Sequence, residues 1–469
     1  MGVRGFATQE VGMVPVKGLS TTLQRRTIDQ MLRLATSDNK RSILLAAQLA
    51  ERLTPAHRKT EVNWVIDQIR RETPALQLIR RIVRSLNPNV RRAAIESLVL
   101  NSLLRSSATR TAFTARTGVH TPVVLLISPT MRCNLRCEGC YAAGYSAAAE
   151  LSPELFQSII DQANEIGIFF FTILGGEPFL RRDILDVGVA NPDSFFQVFT
   201  NGTMLSEPIV GRMAEIGNMA PVISIEGDRE DTDARRGRGV YDKTLATMAR
   251  LGKAGVAFGY SATVTRHNWR FLMSPAFFDD LIERGCIMGW NFLYMPVGRD
   301  PDVRLMLAPE QRNVFRENLL ALRKAKPLAA LDFWGDSVYV GGCIAGKWYA
   351  HVNSEGWLEP CIFAHFATHN LNDCSLEEAL ASDYFKEIQR RQPFNENLLM
   401  PCMLIDNPHQ SREIVAMTGA RPTHPGAESL LEQLAPALDD YASEVERVYT
   451  PVWSCLVAGE NGGSSSTAS

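Results

Sequence analysis

Three thiols fall within eight residues, Cys133, Cys137 and Cys140, directly after the apolar run Val123-Val-Leu-Leu-Ile-Ser-Pro-Thr130. A run of that kind reads as a buried parallel strand, which places the cysteines on the loop beyond its carboxyl end. Open α/β sheets and barrels carry their chemistry there. Three thiolates are one short of a closed four-ligand site, so a cluster held here keeps one iron open to substrate or cofactor. The bland alternative is a structural zinc knuckle or reduced core thiols.

From Val123 onward the chain alternates strand and helix. Five more strand-like runs follow, at 168–174, 195–200, 221–225, 256–264 and 287–294, separated by amphipathic helices near 153–165, 206–216, 241–253, 273–284 and 309–324. Six strands in this rhythm predict a parallel sheet with right-handed crossovers, an α/β partial (β/α)6 TIM-like barrel over 119–327 rather than the eight of a closed one. Residues 1–118 read as a helical domain, helical from about Thr22 to Ser107 with Pro55, Pro74 and Pro88 at helix starts. After 328 the rhythm breaks into the runs Val338–Cys343, Trp348–Asn353 and Trp357–Cys361, a cysteine-bearing β-hairpin, followed by a helix near 375–391, all within 328–410. Residues 411–458 form a helical extension, with an acidic helix from about Ala427, and the Gly/Ser-rich 459–469 is read as a disordered tail.

Gly175-Gly176-Glu177-Pro178 ends the second strand and faces the cysteine loop, where glycine permits close backbone approach to a ligand. Thr200 and Asn201, then Ser224 and Glu226, end the next two strands and add donors and acceptors to the same mouth. The Cys-x3-Cys-x2-Cys spacing, the words Cys-Asn-Leu-Arg-Cys and Gly-Gly-Glu-Pro, and their order together resemble the radical S-adenosylmethionine (SAM) enzymes. The resemblance spans roughly 120–410. It implies a 4Fe-4S cluster on Cys133, Cys137 and Cys140 and reductive cleavage of SAM to a 5'-deoxyadenosyl radical that abstracts a substrate hydrogen. It also implies SAM contacts from Gly175, Gly176, Glu177 and Pro178 at the methionine amino group, Ser224 and Glu226 at the ribose, and Arg236 at the carboxylate. Gly139 stands where many relatives have an aromatic, so Tyr141 is the candidate to cover the adenine; Thr232 stands where some have histidine.

A second cysteine group, Cys343 and Cys361 about Gly356, then Cys402, resembles the opening of a SPASM or twitch domain without its later run of cysteines. The expectation is a single auxiliary 4Fe-4S cluster on Cys343, Cys361 and Cys402 with Cys374 as fourth ligand; zinc is the alternative. Gly341 to Lys347 matches a phosphate-loop spacing, but Trp348 replaces the Ser/Thr that would hold magnesium. His365 and His369 could approach a metal, and Asp332, Trp334 and Asp336 are candidates to reach substrate, the two aspartates as catalytic groups.

Nine cysteines in a long chain without a secretory pattern at Met1 are read as ligands kept reduced in the cytoplasm. The net charge of −2 hides an asymmetry: residues 1–120 hold 20 Lys and Arg against 8 Asp and Glu, +12, leaving −14 for the remainder. Those helices either dock on the acidic remainder or face an anionic membrane surface, bringing lipid or peptide to the barrel mouth. Residues 20–110 offer one aromatic for stacking, Trp64, which argues against the rival reading, a non-enzymatic Fe-S or zinc module binding nucleic acid. The expected enzyme is an oxidoreductase or bond-forming enzyme reduced by a ferredoxin or flavodoxin, its substrate unidentified.

Overall fold

The structure, a computed structural model, describes residues 34, 39–53, 59–143 and 149–462. The expectations for 1–33, for Pro55 and for 463–469 lie outside the described residues.

The strands β1 (Val124–Thr130), β2 (Phe170–Gly175), β3 (Phe195–Thr200), β4 (Met219–Ser224), β5 (Gly259–Val264) and β6 (Met288–Leu293) are the six the sequence predicts, each parallel to the next. Two more parallel strands flank them: β7 (Ala329–Asp332) beside β6, and β8 (Tyr349–Val352) beside β1. Antiparallel β9 (Leu358–Glu359) completes one sheet in the order β7-β6-β5-β4-β3-β2-β1-β8-β9, open at both ends. The boundary drawn after 327 therefore cuts the sheet, and the expected hairpin is its continuation. Hydrogen bonding explains the miss: β8 is specified by the free edge of β1, which no local pattern announces. Val338–Cys343, read as a strand, opens instead with a helical turn, Ser337–Val340, ended by Gly341 in the left-handed region. The 375–391 helix is split into Leu376–Leu380 and Asp383–Arg391, each with a serine cap, Ser375 and Ser382. The last helix, Ala435–Gly462, runs past the predicted start of the tail. A short pair, β10 (Phe366–Ala367) with β11 (Arg421–Pro422), lies outside the sheet.

Five predicted barrel helices are present as Pro153–Glu165, Glu207–Ile216, Val240–Ala254, Pro275–Glu283 and Pro309–Ala325. Four begin with proline at the first turn, where its missing N–H costs nothing. Their buried faces and the strands form one core.

The basic helices dock at the amino-terminal end of the barrel, opposite the cysteine loop. Pro74 and Pro88 begin two of them, Pro74–Ser85 and Pro88–Ala94. Several of their contacts fall on loops that precede strands: the Asn87 N–H donates to Gly255 O (2.8 Å), Asn101 Nδ2 to Asp193 O (2.9 Å) and Arg110 Nη1 to Gly167 O (3.0 Å). Arg81 reaches Ile282 O (2.6 Å), Cys286 O (3.1 Å) and Pro327 O (2.6 Å). Leu86 and Val90 pack on Phe195, Ala220 and Ala257, at or just before the starts of β3, β4 and β5. Of the two expectations for these helices, docking within the chain is what the structure has, and the partners are carbonyl dipoles more than carboxylates. The docked face lies near the starts of β3, β4 and β5, at the end of the strands away from the cysteine loop. No described helix is long and apolar enough to cross a membrane.

Candidate active site

The end of β1 is shaped by Pro129, which has no N–H to give a ladder; the register with β2 slips between Ile127 and Thr130 and the chain leaves the sheet as the cysteine loop. The β2 turn is stitched to that loop. The Gly176 N–H donates to Thr130 O (3.0 Å) and the Glu177 N–H to Arg132 O (2.8 Å). A Cβ on Gly176 would lie 2.2 Å from Arg132 O, so glycine is what lets the two motifs touch.

One cavity of about 780 Å³ opens at these strand ends, within the range of ligand sites. Cys133, Cys137, Cys140, Tyr141, Gly175, Gly176, Thr200, Asn201, Ser224 and Arg236 all line it. Glu177, Pro178 and Glu226 do not. Glu177 is buried with its carboxylate turned inward, accepting from Phe179 N (3.1 Å), Thr200 Oγ1 (2.7 Å) and Asn201 N (2.8 Å), and burial raises its pKa. It ties β2 to β3. Glu226 accepts from Arg235 Nη1 (2.6 Å), Arg236 Nε (2.7 Å) and the Thr263 N–H (2.9 Å). Burial alone would raise it, but Arg235 and then Arg236 outweigh burial and hold it below the ordinary glutamate value. The expected ribose contact is thus an anchor for two arginines. Thr232 supports the same strand end, its Oγ1 accepting the Glu226 N–H (3.1 Å).

Gly139 has φ +56°, and a Cβ there would lie 2.6 Å from Cε2 of Tyr294. The ring expected before the last cysteine is therefore supplied from the end of β6. Tyr141 is held by a hydrogen bond from the Gly175 backbone and meets Phe363 edge-on with centroids 5.4 Å apart, its pKa raised by burial. Sequence reasoning passed over Arg299, whose Nη1 donates to Cys137 O (3.0 Å), and the aromatic wall of Phe199, Trp290, Phe292 and Phe333. Trp290 and Phe292 stack at 5.9 Å with planes 7° apart. Alternation along β6, with Trp290 and Phe292 on one face, was the available signal.

Cys343, Cys361 and Cys402 line a second cavity of about 170 Å³, together with Asp332 and Asp336. Cys374 lines neither cavity; its Sγ donates to Asn370 O (3.2 Å). Its expected place as fourth ligand is not where the fold puts it. The candidate catalytic aspartates are structural in their contacts: Asp336 pairs with Arg323 (2.6 Å), and Asp332 Oδ1 accepts from the N–H groups of Trp334 (3.1 Å) and Gly335 (2.8 Å). His365 is buried beside Glu359 and His424, its pKa pushed down by burial to about 4, and His369 bonds Thr368 (2.9 Å). A buried chain, Ser128 Oγ to His351 (2.7 Å) to Glu359 (2.7 Å), joins β1 to β8 and β9.

The profile of the Radical SAM superfamily matches residues 127–268. Mycofactocin maturase MftC of Mycobacterium ulcerans is 32% identical over 262 residues, 53% of this chain and 70% of that protein. The chain belongs to the radical SAM superfamily. An AdoMet-dependent heme synthase of Methanosarcina barkeri is 25% identical over 291 residues, 55% of this chain and 82% of that protein. SuiB of Streptococcus suis, solved bound to S-adenosylmethionine, shares the fold with a TM-score of 0.55 at 19% identity, over 64% of this chain and 76% of its own. Radical SAM enzymes use a 4Fe-4S cluster and SAM.

The residues present fit such groups. Burial pushes the Cys133 thiol up to about 11 and raises Cys140, so thiolates here need a cation; Arg236 Nη1, 4.0 Å from Cys137 Sγ, supplies part and a metal cluster the rest. Among the described residues no three of His, Cys, Asp or Glu converge on a single ion.

Proposed function

We propose that this radical SAM enzyme holds its cluster on Cys133, Cys137 and Cys140, binds SAM across the ends of β2 to β4, and acts on a substrate group lodged against the aromatic wall. The observation that carries this is the single cavity shared by the three thiols, the polar strand ends and that wall. When bound, the cluster and SAM supply a 5'-deoxyadenosyl radical that takes a substrate hydrogen, leading to oxidation or to C–C or C–S bond formation. Gly175 and Gly176 offer backbone to the methionine end of SAM, Arg236 its carboxylate partner, and Thr200, Asn201 and Ser224 hydrogen bonds to its polar edges. Tyr294 and Tyr141 bound the space near the cluster, while Trp290, Phe292 and Phe333 exclude water around the reacting C–H. The wall suits an apolar or aromatic group. A peptide side chain is the reading best supported, since MftC is named a maturase and SuiB has been solved bound to a precursor peptide. A ferredoxin or flavodoxin is the proposed electron donor.

Anaerobic reconstitution followed by dithionite and SAM tests the reading: the parent releases 5'-deoxyadenosine and the triple Cys→Ala variant of 133, 137 and 140 does not. Equal cleavage by both refutes it. Mass spectrometry of peptides, lipids and small molecules from cells with and without the protein then identifies the substrate, and a change confined to lipids or small molecules overturns the peptide reading.

A further inference from the structure

Successive residues of β2 and β3 serve opposite sides of the sheet. Phe171, Ile173, Phe196 and Val198 belong to the core under the barrel helices. Their neighbours Phe170, Thr172, Gln197 and Phe199 line the main cavity, as alternation along a strand requires. Closed barrels fill that interior with branched apolar side chains. Here the middle of β2 and β3 carries a hydroxyl and an amide. Thr172 and Gln197 are partners in register. Each stands three residues, about 10 Å, before its strand end at Gly175 or Thr200. Deeper still, Phe170 packs with Leu86 and Val90 of the amino-terminal helices, which close the far end.

Both polar residues are buried, Gln197 with 2% and Thr172 with 6% of its surface exposed. Gln197 Nε2 donates to the Met288 thioether on β6 (3.5 Å), a weak acceptor, so the side chain crosses the lumen below Phe199 and Trp290. Gln197 Oε1 and Thr172 Oγ1 have no hydrogen-bond partner among the described residues, and neither is sealed off from the cavity they line. Buried polar atoms without partners are rare in folded proteins, and a ligand is one reason to keep them. The charges around the cavity lie elsewhere. Its ionic side chains are Arg132 and Arg136 on the cysteine loop, Arg235 and Arg236 on the helix Arg229–Arg236, and Arg299 beyond β6, all at the mouth. Among the described residues no Asp, Glu, Lys or His lines it. At the floor an amine finds no carboxylate and a carboxylate finds no cation, and burying either charge unpaired is costly.

We propose that Gln197 and Thr172 are specificity-determining residues that select a substrate group ending in an uncharged hydrogen-bonding tip, such as a carboxamide or hydroxyl. The tip reaches the floor of the barrel, the apolar body of the group lies along the aromatic wall, and the reacting C–H is left toward the strand ends. This rests on the reading that the substrate lodges against that wall.

The test uses the full-length enzyme, reconstituted anaerobically with SAM and left unreduced, and titrates four probes by fluorine NMR: 4-fluorobenzamide, 4-fluorotoluene, 4-fluorobenzoate and 4-fluorobenzylamine. The parent should bind the amide about three- to tenfold more tightly than the toluene, the range of one or two neutral hydrogen bonds. Gln197→Leu should remove that advantage while leaving the other three probes within about twofold. The nearly isosteric Thr172→Val should remove part of it and carries the test if Gln197→Leu does not fold. Retained affinity for 4-fluorotoluene shows that a variant keeps its cavity, so a changed ratio between probes reports recognition and not folding. An amide advantage that survives both substitutions overturns the proposal. So does a loss of benzoate or benzylamine binding in Gln197→Leu as large as that of the amide. Phe292→Ala should weaken all binding to the wall; toluene binding untouched by it refutes the wall reading itself, and this inference with it, whereas a wall effect without an amide advantage overturns the floor alone.

Discussion

Arg81 is the strongest single tie between the basic helices and the barrel. Its guanidinium is half-buried and donates to three carbonyls, two of them, Ile282 O and Cys286 O, at and just past the end of the helix Pro275–Glu283, where the helix dipole favours a cation. Burial lowers its pKa, yet arginine stays charged. Hydrogen bonds to a charged group contribute about 1.5–3 kcal/mol each, and three sharing one guanidinium add less than their sum because its desolvation opposes them. Arg81→Ala also strands three carbonyls under an apolar interface. A cost of about 1–3 kcal/mol follows, the scale for leaving buried acceptors unsatisfied. Tenfold per 1.4 kcal/mol converts this to exchange roughly fivefold to a hundredfold faster for protected amides of the helix Pro74–Ser85, read by hydrogen-exchange mass spectrometry. Gln77→Ala, at an exposed position of the same helix, should change exchange less than about threefold, the equivalent of about 0.5 kcal/mol for a surface substitution. Unchanged protection in Arg81→Ala would refute docking through these carbonyls.

Glu226→Gln should remove an acid-sensitive contribution at the cavity mouth. Its folded pKa is lowered, so its stabilisation is present above the unfolded glutamate value of about 4.3 and is lost as pH falls through the folded value; urea melts against pH should show a weaker parent advantage in acid, and parallel curves would count against it. Gly139→Ala should cost about 1–2 kcal/mol for the left-handed backbone plus about 1–3 for the overlap with Tyr294. Tyr294→Ala in the same chain should relieve the second part only, and a double-mutant cycle in chemical unfolding without coupling between the sites would refute the contact.

The cysteine triplet, the Gly-Gly-Glu-Pro turn and the six strands were legible because each is a local pattern with a local cause: period, turn chemistry and ligand spacing. Thr200, Asn201 and Ser224 follow from them, since residues at the carboxyl ends of parallel strands share one mouth. Glu177 and Glu226 show where that reasoning stops. Both sit at strand ends, but whether a carboxylate faces ligand or protein depends on Thr200, Asn201, Arg235 and Arg236, which come from other loops. Cys374 lies outside the second cavity for the same reason, because spacing along the chain does not say which side of a turn a thiol occupies.

What the sequence determined by itself was the chemistry: three thiols after a strand, the glycines that let the next loop approach them, and the βα order that aligns the strand ends. Only the tertiary structure decided that β7 and β8 extend the sheet, that Tyr294 fills the space beside Gly139, that the basic helices close the far end of the barrel, and that three cysteines, not four, surround the second cavity. Those outcomes depend on free strand edges, on the space between side chains distant in sequence and on carbonyls exposed at helix ends, none of which exists until the chain has folded.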